Sequence, residues 1–205
     1  MKEYVTVEKT ATGTVTDRKS EFIGYVAHAE SEREALEFLT YVRKKDHDAR
    51  HHCYAYVLRD GSVERQSDDG EPQKTAGMPI LEVIRHRGLE DVIIVVTRYF
   101  GGTLLGTGGL VRAYTGAAQA CLENAEIVHY RSCRDLELEV DYSLYDRLNN
   151  LLTSREAKVV STDFAERIRL VIRTPEECRE ELAGRITTLT KGLRPAVGEE
   201  IFDVF

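Results

Sequence analysis

The sequence has 205 residues, of which 42% are hydrophobic and 31% are charged. This composition is typical of a globular protein of one or two domains, and it excludes collagen-like, low-complexity and wholly disordered chains. No apolar run approaches the roughly 20 residues that cross a bilayer, and the N-terminus lacks the apolar segment of a signal peptide. We therefore expect a cytoplasmic protein with no membrane partner.

The charge balance limits which nucleic acids the protein can bind. Lysine and arginine number 28 against 35 aspartate and glutamate, so the formal net charge is −7. Nonspecific nucleic-acid binding usually comes from a basic domain, because phosphate contacts supply its affinity. Any RNA contact must therefore be a local patch, and recognition of a DNA sequence is not expected. The four cysteines lack CxxC spacing, which indicates reduced thiols and no zinc site.

Strands come first in the chain, before a helix and a hairpin. Runs of β-branched and apolar residues predict an extended segment over 4–7 and 12–16, with Gly13 as a bulge or turn, and a second strand over 22–27. Ser31 and Glu34 have the spacing of a capping box and begin a helix that frays at 44–47. A hairpin then follows, with strands over 53–58 and 63–66 joined by Asp60-Gly61.

The next segment contains a buried strand between two helices. A loop over 67–77 leads to a helix with Pro79 in its first turn and Gly88 as its C-cap. Residues 92–96 are apolar on both faces, which predicts a central strand buried on both sides. The elements predicted to close this half are a helix from near Gly108, with Thr107 as its N-cap, and a short strand at 127–128.

The rest of the chain has a different order of elements. Its predicted elements are a strand over 136–140, a helix over 143–156, strands over 158–161 and 167–173, a helix from Pro175 to about Thr188, and a strand over 201–205. The order βαββαβ is the split unit of a ferredoxin-like sandwich. The predicted boundary falls at 130–134, so we expect two α+β domains, over residues 1–130 and 134–205.

A glycine-rich loop between a buried strand and a helix is the strongest local signal. Five glycines occur in the nine residues from Gly101 to Gly109. The free amides and positive dipole end of such a helix can bind an anion, although no known phosphate fingerprint matches. The alternative is a tight backbone crossing with a purely structural role. The candidate binding residues are Arg98, Tyr99, Phe100, Gly101, Gly102, Gly106, Gly108, Gly109 and Arg112.

An acidic cluster, Asp68, Asp69 and Glu71, precedes that segment. Oxygen ligands on a short loop suit a divalent cation, and paired carboxylates suit acid–base catalysis. The same residues are also good turn formers whose side chains bond to the nearby backbone, and contact with Arg98 is a third possibility. The EF-hand spacing is absent, and we predict no bound metal and no cofactor.

Histidines, basic residues and aromatic residues give weaker signals. His51 and Cys53 share a strand face, which allows a nucleophilic couple, but no third orienting group is evident. Basic residues at 43–45 and 50–52 suit either a solvated helix end or a polyanion. The aromatic side chains that could stack on bases, or equally pair in the core, are Tyr54, Tyr56, Tyr99 and Phe100.

Several of these segments together resemble the YigZ/IMPACT family. The segments that carry the resemblance are 20–24, Ala49 to Tyr56, Ser67 to Pro72, Thr75 to Leu81, and Val96 to Tyr114. The chain departs from the family at Gln73-Lys74, where a small residue and a glycine are usual. The family-motif residues for which no role is predicted are His51, Asp68, Asp69, Gly70, Glu71, Pro72, Thr75 and Gly77.

The resemblance implies a fold for each domain and a function in translation. It implies that the first domain is like domain 2 of ribosomal protein S5 and that the second is ferredoxin-like, as in the last two domains of the ribosomal translocase. Eukaryotic relatives act in translational control by binding the effector of a starvation-response kinase, whereas bacterial relatives have no settled activity.

Three hypotheses about function follow. The leading one is a non-enzymatic, translation-associated regulator that binds the ribosome, RNA or a ribosome-bound factor through Arg98, Arg112 and the loop amides. The second is an enzyme that uses the acidic cluster with a metal or a phosphorylated ligand. The third is a protein-interaction module, which the net charge of −7 favours over broad nucleic-acid binding.

Overall fold

A computed structural model describes residues 3–59, 62–152 and 157–205 of the protein. The chain forms two compact units. Val5–Val128 make up the larger unit, and His129–Phe205 make up the smaller one together with the described residues before Val5. Each unit contains helices and antiparallel strands, so the predicted α+β class is confirmed. No described helix is both long enough and apolar enough to cross a membrane.

The larger unit is built on one antiparallel sheet. In chain order its elements are β1 (Tyr4–Val7), β2 (Ala11–Asp17), β3 (Ser20–His28), α1 (Glu32–Lys45), β4 (His51–Leu58), β5 (Val63–Ser67), α2 (Gly77–Arg87), β6 (Val92–Tyr99) and α3 (Gly106–Glu123). The strand order of the sheet is β2-β3-β6-β4-β5. Since β6 lies in the centre, both its faces are covered, and Val92 to Arg98 are all buried.

The sheet separates two hydrophobic clusters. Leu39 and Val42 of α1 pack on one face with Tyr56, whereas Ile80 of α2 and Tyr114 of α3 pack on the other. The apolar residues of β6 alternate between these two clusters, Ile93 and Val95 facing α1 and Ile94 and Val96 facing α2 and α3. This explains why the strand has no polar alternation, and the prediction of a strand buried on both sides is confirmed.

The smaller unit has the predicted βαββαβ order. Its elements are β7 (Ile127–Val140), α4 (Tyr142–Leu151), β8 (Lys158–Phe164), β9 (Ile168–Pro175), α5 (Arg179–Leu189) and β10 (Ala196–Val204), with a short 3-10 turn, Glu176–Cys178, before α5. The strands run in the order β10-β7-β9-β8, all antiparallel. Leu148, Leu182 and Ile186 of the helices pack on Leu136 and Leu170 of the strands.

Two element boundaries differ from the sequence prediction. β7 continues without a break to Val140, where a short strand and a boundary at 130–134 were predicted. The polar run His129 to Asp135 lacks apolar alternation, but pairing with β10 and then also β9 keeps it extended. α3 begins at Gly106, and Leu105 at its N-cap makes no side-chain hydrogen bond. Thr107 therefore lies inside the helix and is not its cap.

Other boundaries move by smaller amounts. β4 begins at His51, two residues before its predicted start, and β10 begins at Ala196, before the predicted residue 201. Gly77 starts α2, so Pro79 is its third residue, and Gly88 forms the predicted left-handed cap with φ of 62°. The predicted turn at Asp60-Gly61 and the predicted end of α4 at 153–156 lie outside the described residues.

Glycines allow α3 to lie directly on the sheet. A Cβ atom on Gly24 would be 2.3 Å from the carbonyl oxygen of Ala117, and one on Gly13 would be 2.3 Å from the carbonyl carbon of Ala120. Real Cβ atoms do not approach backbone so closely, because the interior is already close-packed. These two strand positions therefore set the distance between α3 and β2–β3.

We expect Gly24→Ala to lower the free energy of unfolding by about 1–3 kcal/mol, because α3 must move away from the sheet. Urea denaturation monitored by circular dichroism measures the change. Gly116→Ala on the same helix is the matched control, since its Cβ would lie 3.6 Å from Val15, an ordinary contact. A helical glycine replaced by alanine there should gain up to about 1 kcal/mol. Equal effects of the two substitutions would contradict this packing.

Candidate functional site

The acidic loop, residues 67–77 between β5 and α2, is held together by Asp68. Its Oδ1 atom accepts hydrogen bonds from the amides of Ala76 (3.0 Å) and Gly77 (2.9 Å), and its Oδ2 atom accepts one from the Lys74 amide (2.8 Å). These amides lie at and just before the N-terminus of α2, where backbone donors have no partner within the helix. Asp68 thus stabilises the start of α2, and its oxygens are engaged by the protein itself.

Asp69 joins the acidic loop to two other elements. Its Oδ2 atom accepts the amide of His52 (2.7 Å), and its Oδ1 atom accepts the guanidinium of Arg43 at the end of α1 (2.9 Å). The ring Nδ1 of His51 lies 2.8 Å from the Asp69 carbonyl oxygen. Part of the predicted basic patch therefore pairs with this loop, which leaves Arg43 less available to an external polyanion.

His51 and Cys53 contact separate carbonyls of the acidic loop. His51 is bonded to the Asp69 carbonyl, whereas the Cys53 thiol donates to the Asp68 carbonyl at 3.1 Å. Burial raises the pKa of the Cys53 thiol, and the acidic side chains nearby raise it further. The thiol therefore stays protonated, which argues against the nucleophilic couple considered from the sequence.

The other motif residues of the loop also have structural positions. Thr75 donates its amide and hydroxyl to the Pro72 carbonyl, and Gly70 has φ of +87° beside the His51 ring. A Cβ on Gly77 would collide with Ser67. Lys74 has φ of +63°, a conformation that glycine adopts most easily. Lys74 therefore adopts a left-handed conformation in which a glycine would be unstrained.

A buried ion pair connects the acidic loop with β6 and α3. Glu71 Oε1 accepts hydrogen bonds from Arg98 Nη1 at 2.6 Å and from the Tyr114 hydroxyl at 2.8 Å. The side chains of Glu71 and Arg98 are only 4% and 7% exposed. The Arg98 guanidinium also lies over the rings of Phe22 and Phe100, at 5.4 Å from each centroid. Burial raises the pKa of the Tyr114 phenol, with Cys53 and Glu71 adding to the effect, so Tyr114 remains a donor.

This arrangement gives Arg98 a different role from the predicted phosphate contact. Its guanidinium is buried and neutralised by Glu71, so an external phosphate cannot reach it without opening the loop. Of the three interpretations of the acidic cluster, contact with Arg98 holds for Glu71, and backbone bonding holds for Asp68. Within residues 3–59, 62–152 and 157–205, no group of three or more His, Cys, Asp or Glu side chains is placed to hold a metal.

The glycine loop, residues 100–109, lies against the turn between β2 and β3. The Gly101 amide donates to Ser20 Oγ at 3.1 Å, and a Cβ on Gly101 would be 2.1 Å from the Lys19 carbonyl carbon. Gly102 and Gly106 have φ of +83° and +71°, which favours glycine. The structural alternative therefore accounts for Gly101, Gly102 and Gly106, whereas a Cβ on Gly108, at the exposed start of α3, would make an ordinary contact with Arg112, at 3.7 Å from its Nη1.

Three exposed cations surround the glycine loop and the start of α3. Arg112 is exposed on the first turns of α3. Arg18 and Lys19 form the β2–β3 turn, and Arg18 Nη1 donates to the Leu104 carbonyl at 3.4 Å. Arg18 and Lys19 were not predicted from the sequence as binding residues. The pairing of β3 with β6 places their turn beside the end of β6, and local sequence patterns do not predict that pairing.

The predicted stacking residues do not form one platform. Tyr54 and Tyr56 stack on each other with centroids 6.2 Å apart, and the Tyr56 hydroxyl donates to Glu32 at 2.7 Å. Tyr99 is half-buried, and its hydroxyl donates to Asp48 at 3.1 Å. Phe100 is 44% exposed, which leaves it the most accessible of the four.

The sheet of the smaller unit presents a network of paired charges. Arg173 bonds Asp135 through two nitrogens, at 2.8 and 3.0 Å, and contacts Asp203 at 2.8 Å. Arg169 contacts Glu137 at 2.8 Å on the neighbouring strand. Sheets of this fold that bind RNA present aromatic rings and unpaired cations to the bases. Here the cations are neutralised within the sheet, which does not favour RNA binding at this face.

We expect Arg98→Met to lower the free energy of unfolding by about 3–5 kcal/mol, because it leaves Glu71 buried without its partner. Glu71→Leu should cost a similar amount, for the same reason. The double variant should be more stable than either single variant, since it removes both charges together. Urea denaturation of the four proteins completes the cycle, and single variants as stable as the original chain would show that the pair is exposed in solution.

Thiol reactivity tests the state of Cys53. Cys53, Cys121 and Cys133 are buried, and burial raises the pKa of Cys121 to about 12. We expect one of the four native thiols, Cys178, to react with Ellman's reagent at pH 8, and all four to react in urea. Rapid labelling of Cys53 in the native protein, faster than labelling of Cys178, would instead indicate an activated thiolate.

Comparisons with known proteins agree with this architecture. The family described as the Impact N-terminal domain matches residues 18–122, and a domain of unknown function, DUF1949, matches residues 138–193. The IMPACT family member YvyE of Bacillus subtilis is 33% identical over 190 residues, covering 92% of this chain and 88% of that protein. The IMPACT family member YigZ of Escherichia coli is 33% identical over 178 residues, covering 85% and 87%.

A solved structure covers nearly the whole chain. It is a crystal structure of a hypothetical protein with a TM-score of 0.61 and 30% sequence identity, covering 96% of this chain and 97% of that one. The matched segments include both the acidic loop and the glycine loop, and the identity extends through both units. The chain belongs to the IMPACT family.

Proposed function

We propose that this protein is a translation-associated regulator that binds the ribosome through its glycine loop and the adjoining β2–β3 turn. The observation that carries the proposal is the cluster of exposed Arg18, Lys19 and Arg112 around the start of α3. The acidic loop, by contrast, uses its carboxylates to hold the protein together. Support from the family comes from its eukaryotic members, which the sequence resemblance associates with translational control.

Electrostatics makes this surface suitable for phosphate. No side chain caps the N-terminus of α3, and the aligned peptide dipoles place about half a positive charge there. Arg18 and Lys19 on the β2–β3 turn beside the glycine loop, and Arg112 on the first turns of α3, add full positive charges to this surface. The overall charge of −7 opposes indiscriminate binding of nucleic acid. A local site on ribosomal RNA is compatible with both facts.

The backbone of the β2–β3 turn gives a second line of support. Arg18 and Lys19 have φ of 44° and 68°, as a type I′ turn requires. Asn-Gly is the preferred pair in such a turn, and larger residues pay about 1–2 kcal/mol each for the left-handed conformation. Two cations held at a position that disfavours them suggest that their charge is used.

The same geometry favours binding over catalysis. Asp68, Asp69 and Glu71 are already hydrogen-bonded to amides, Arg43, Arg98 and Tyr114. A general base must lie within reach of its substrate, and the Glu71 side chain, only 4% exposed, is shielded from solvent. The carboxylates therefore support the role of a scaffold for the binding surface.

A protein partner on the ribosome is the second candidate. Leu104 is 82% exposed and Phe100 is 44% exposed, so the glycine loop also presents apolar side chains next to its cations. Exposed apolar groups of this kind mark protein contacts more often than RNA contacts. Salt dependence separates the two, because phosphate contacts release counterions and apolar contacts do not.

Ribosome co-sedimentation at two salt concentrations tests the proposal with the double variant Arg18→Asn/Lys19→Gly. We expect the free energy of unfolding of the variant to be about 1 kcal/mol higher, because Asn-Gly relaxes the turn. The variant should therefore unfold at a higher urea concentration. We expect its ribosome binding to fall roughly tenfold, with a smaller salt dependence, because phosphate contacts are lost. Arg112→Ala should also weaken ribosome binding.

Lys191→Gly is the matched control. Lys191 also has positive φ, 59°, and is an exposed cation, but it lies in the smaller unit. The substitution should relax its turn and leave ribosome binding unchanged. Wild-type binding that does not change with salt, combined with loss on Leu104→Ser, would favour a protein partner. No sedimentation with ribosomes at either salt concentration would refute the proposed function.

A further inference from the structure

A groove runs between α2 and α3 on the larger unit, away from the residues assigned to ribosome binding. It has a volume of about 540 Å³, which is within the range of sites that bind ligands and peptides. Its floor is apolar and is formed by Met78 and Val83 of α2 and Val111 of α3. Val111 is 36% exposed, so the apolar floor is accessible to a partner.

The spacing of the lining residues fixes the length of the groove. Met78 and Arg87 mark the two ends on α2, and Val111 and Gln119 mark them on α3. With a rise of 1.5 Å per residue, these separations correspond to about 14 Å and 12 Å. That length matches about two and a half turns of a helix laid between α2 and α3, as in the helix-in-groove mode of recognition.

Basic side chains without an ion-pair partner lie at the two ends of the groove. Lys74 precedes α2, whereas His86 and Arg87 lie in its last turn. Across the described part of the chain, none of these three side chains forms an ion pair. The acidic residue of the lining, Glu82, is already bonded to Arg85 at 2.6 Å. The rim of the groove is therefore positive at both ends, in a protein that is acidic overall.

The separation of these charges identifies the kind of occupant. Gly77 and Arg87 are ten residues apart on α2, about 15 Å, so Lys74 and Arg87 belong to opposite ends of the groove and suit two separate acidic groups. A short helix with acidic residues at both ends and apolar residues between them satisfies the floor and the rim together. We propose that the α2–α3 groove binds an acidic amphipathic helix of a partner protein. This inference does not depend on ribosome binding by the glycine loop.

A randomised library of 12-residue peptides displayed on phage provides the probe. The library is selected on the full-length protein and counter-selected on Val111→Glu, which places a charge in the groove floor. We expect enriched peptides to carry Asp or Glu near both ends and apolar residues at i, i+3 or i+4, and i+7. A synthetic copy of an enriched peptide then gives affinities by fluorescence anisotropy.

Matched variants locate the site. Val111→Glu and Lys74→Glu/Arg87→Glu should each lower the affinity for the synthetic peptide at least about tenfold, which corresponds to about 1.4 kcal/mol of binding free energy. Val160→Glu, on an exposed valine of β8, and Lys44→Glu/Arg194→Glu, on exposed cations elsewhere, should leave the affinity unchanged. Circular dichroism verifies that all four variants are folded.

Three results would overturn the inference. The first is that no peptide is enriched on the wild-type protein over Val111→Glu. The second is that the enriched peptides lack acidic residues, or that they bind the wild-type protein and all the variants with equal affinity. The third is displacement of the synthetic peptide by millimolar inorganic phosphate but not by matched chloride, which would assign the rim to a small anion. Loss of ribosome binding in the glycine-loop variants has no bearing on any of these outcomes.

Discussion

The buried pair of Glu71 and Arg98 is the constraint on which the larger unit depends. Each charge is costly to remove from water, and their attraction offsets that cost only when the geometry and the remaining hydrogen bonds are good. Tyr114 supplies one further bond to Glu71, and the rings of Phe22 and Phe100 enclose Arg98. The acidic loop, the central strand β6, its neighbour β3 and the helix α3 are thereby required to meet at one point. A hydrophobic residue at either position would pack without this directionality.

That constraint also explains why the acidic loop is ordered as a unit. Each carboxylate accepts hydrogen bonds from a different set of donors. Asp68 accepts them from backbone amides, Asp69 from His52 and Arg43, and Glu71 from Arg98 and Tyr114. Three acidic side chains in four residues repel each other unless each has its own donors. Because each carboxylate has its own hydrogen-bond donors, the three acidic side chains can lie close together. The cations of the β2–β3 turn and of α3 do not take part in these bonds and face solvent.

The sequence predicted the elements better than it predicted the site. The burial of β6 and the βαββαβ order follow from local patterns, apolar on both faces in one case and alternating in the other. The long course of β7 could not be predicted, because the polar residues from His129 to Asp135 are held by strands that lie far along the chain. Contact between the acidic cluster and Arg98 was one of the alternatives drawn from the sequence, and Glu71 makes it. The sequence could not select that alternative over a phosphate contact, because the two residues are 27 positions apart and an arginine after an apolar run gives no sign of whether it is solvated or buried. Lys19 was not predicted as a binding residue, because its place beside the glycine loop depends on a contact with position 101, far along the chain.

The order of synthesis adds a consequence to the bond between Tyr114 and Glu71. These residues are 43 positions apart, so a ribosome adding 5–20 residues per second needs roughly 2–9 seconds to make the segment between them. Glu71 cannot form this bond before Tyr114 has been synthesised, and until then the acidic loop can form only its shorter-range bonds, such as those from Asp68 to the start of α2. The surface that we assign to ribosome binding includes Arg112 of α3, so it is completed only after the acidic loop has been synthesised.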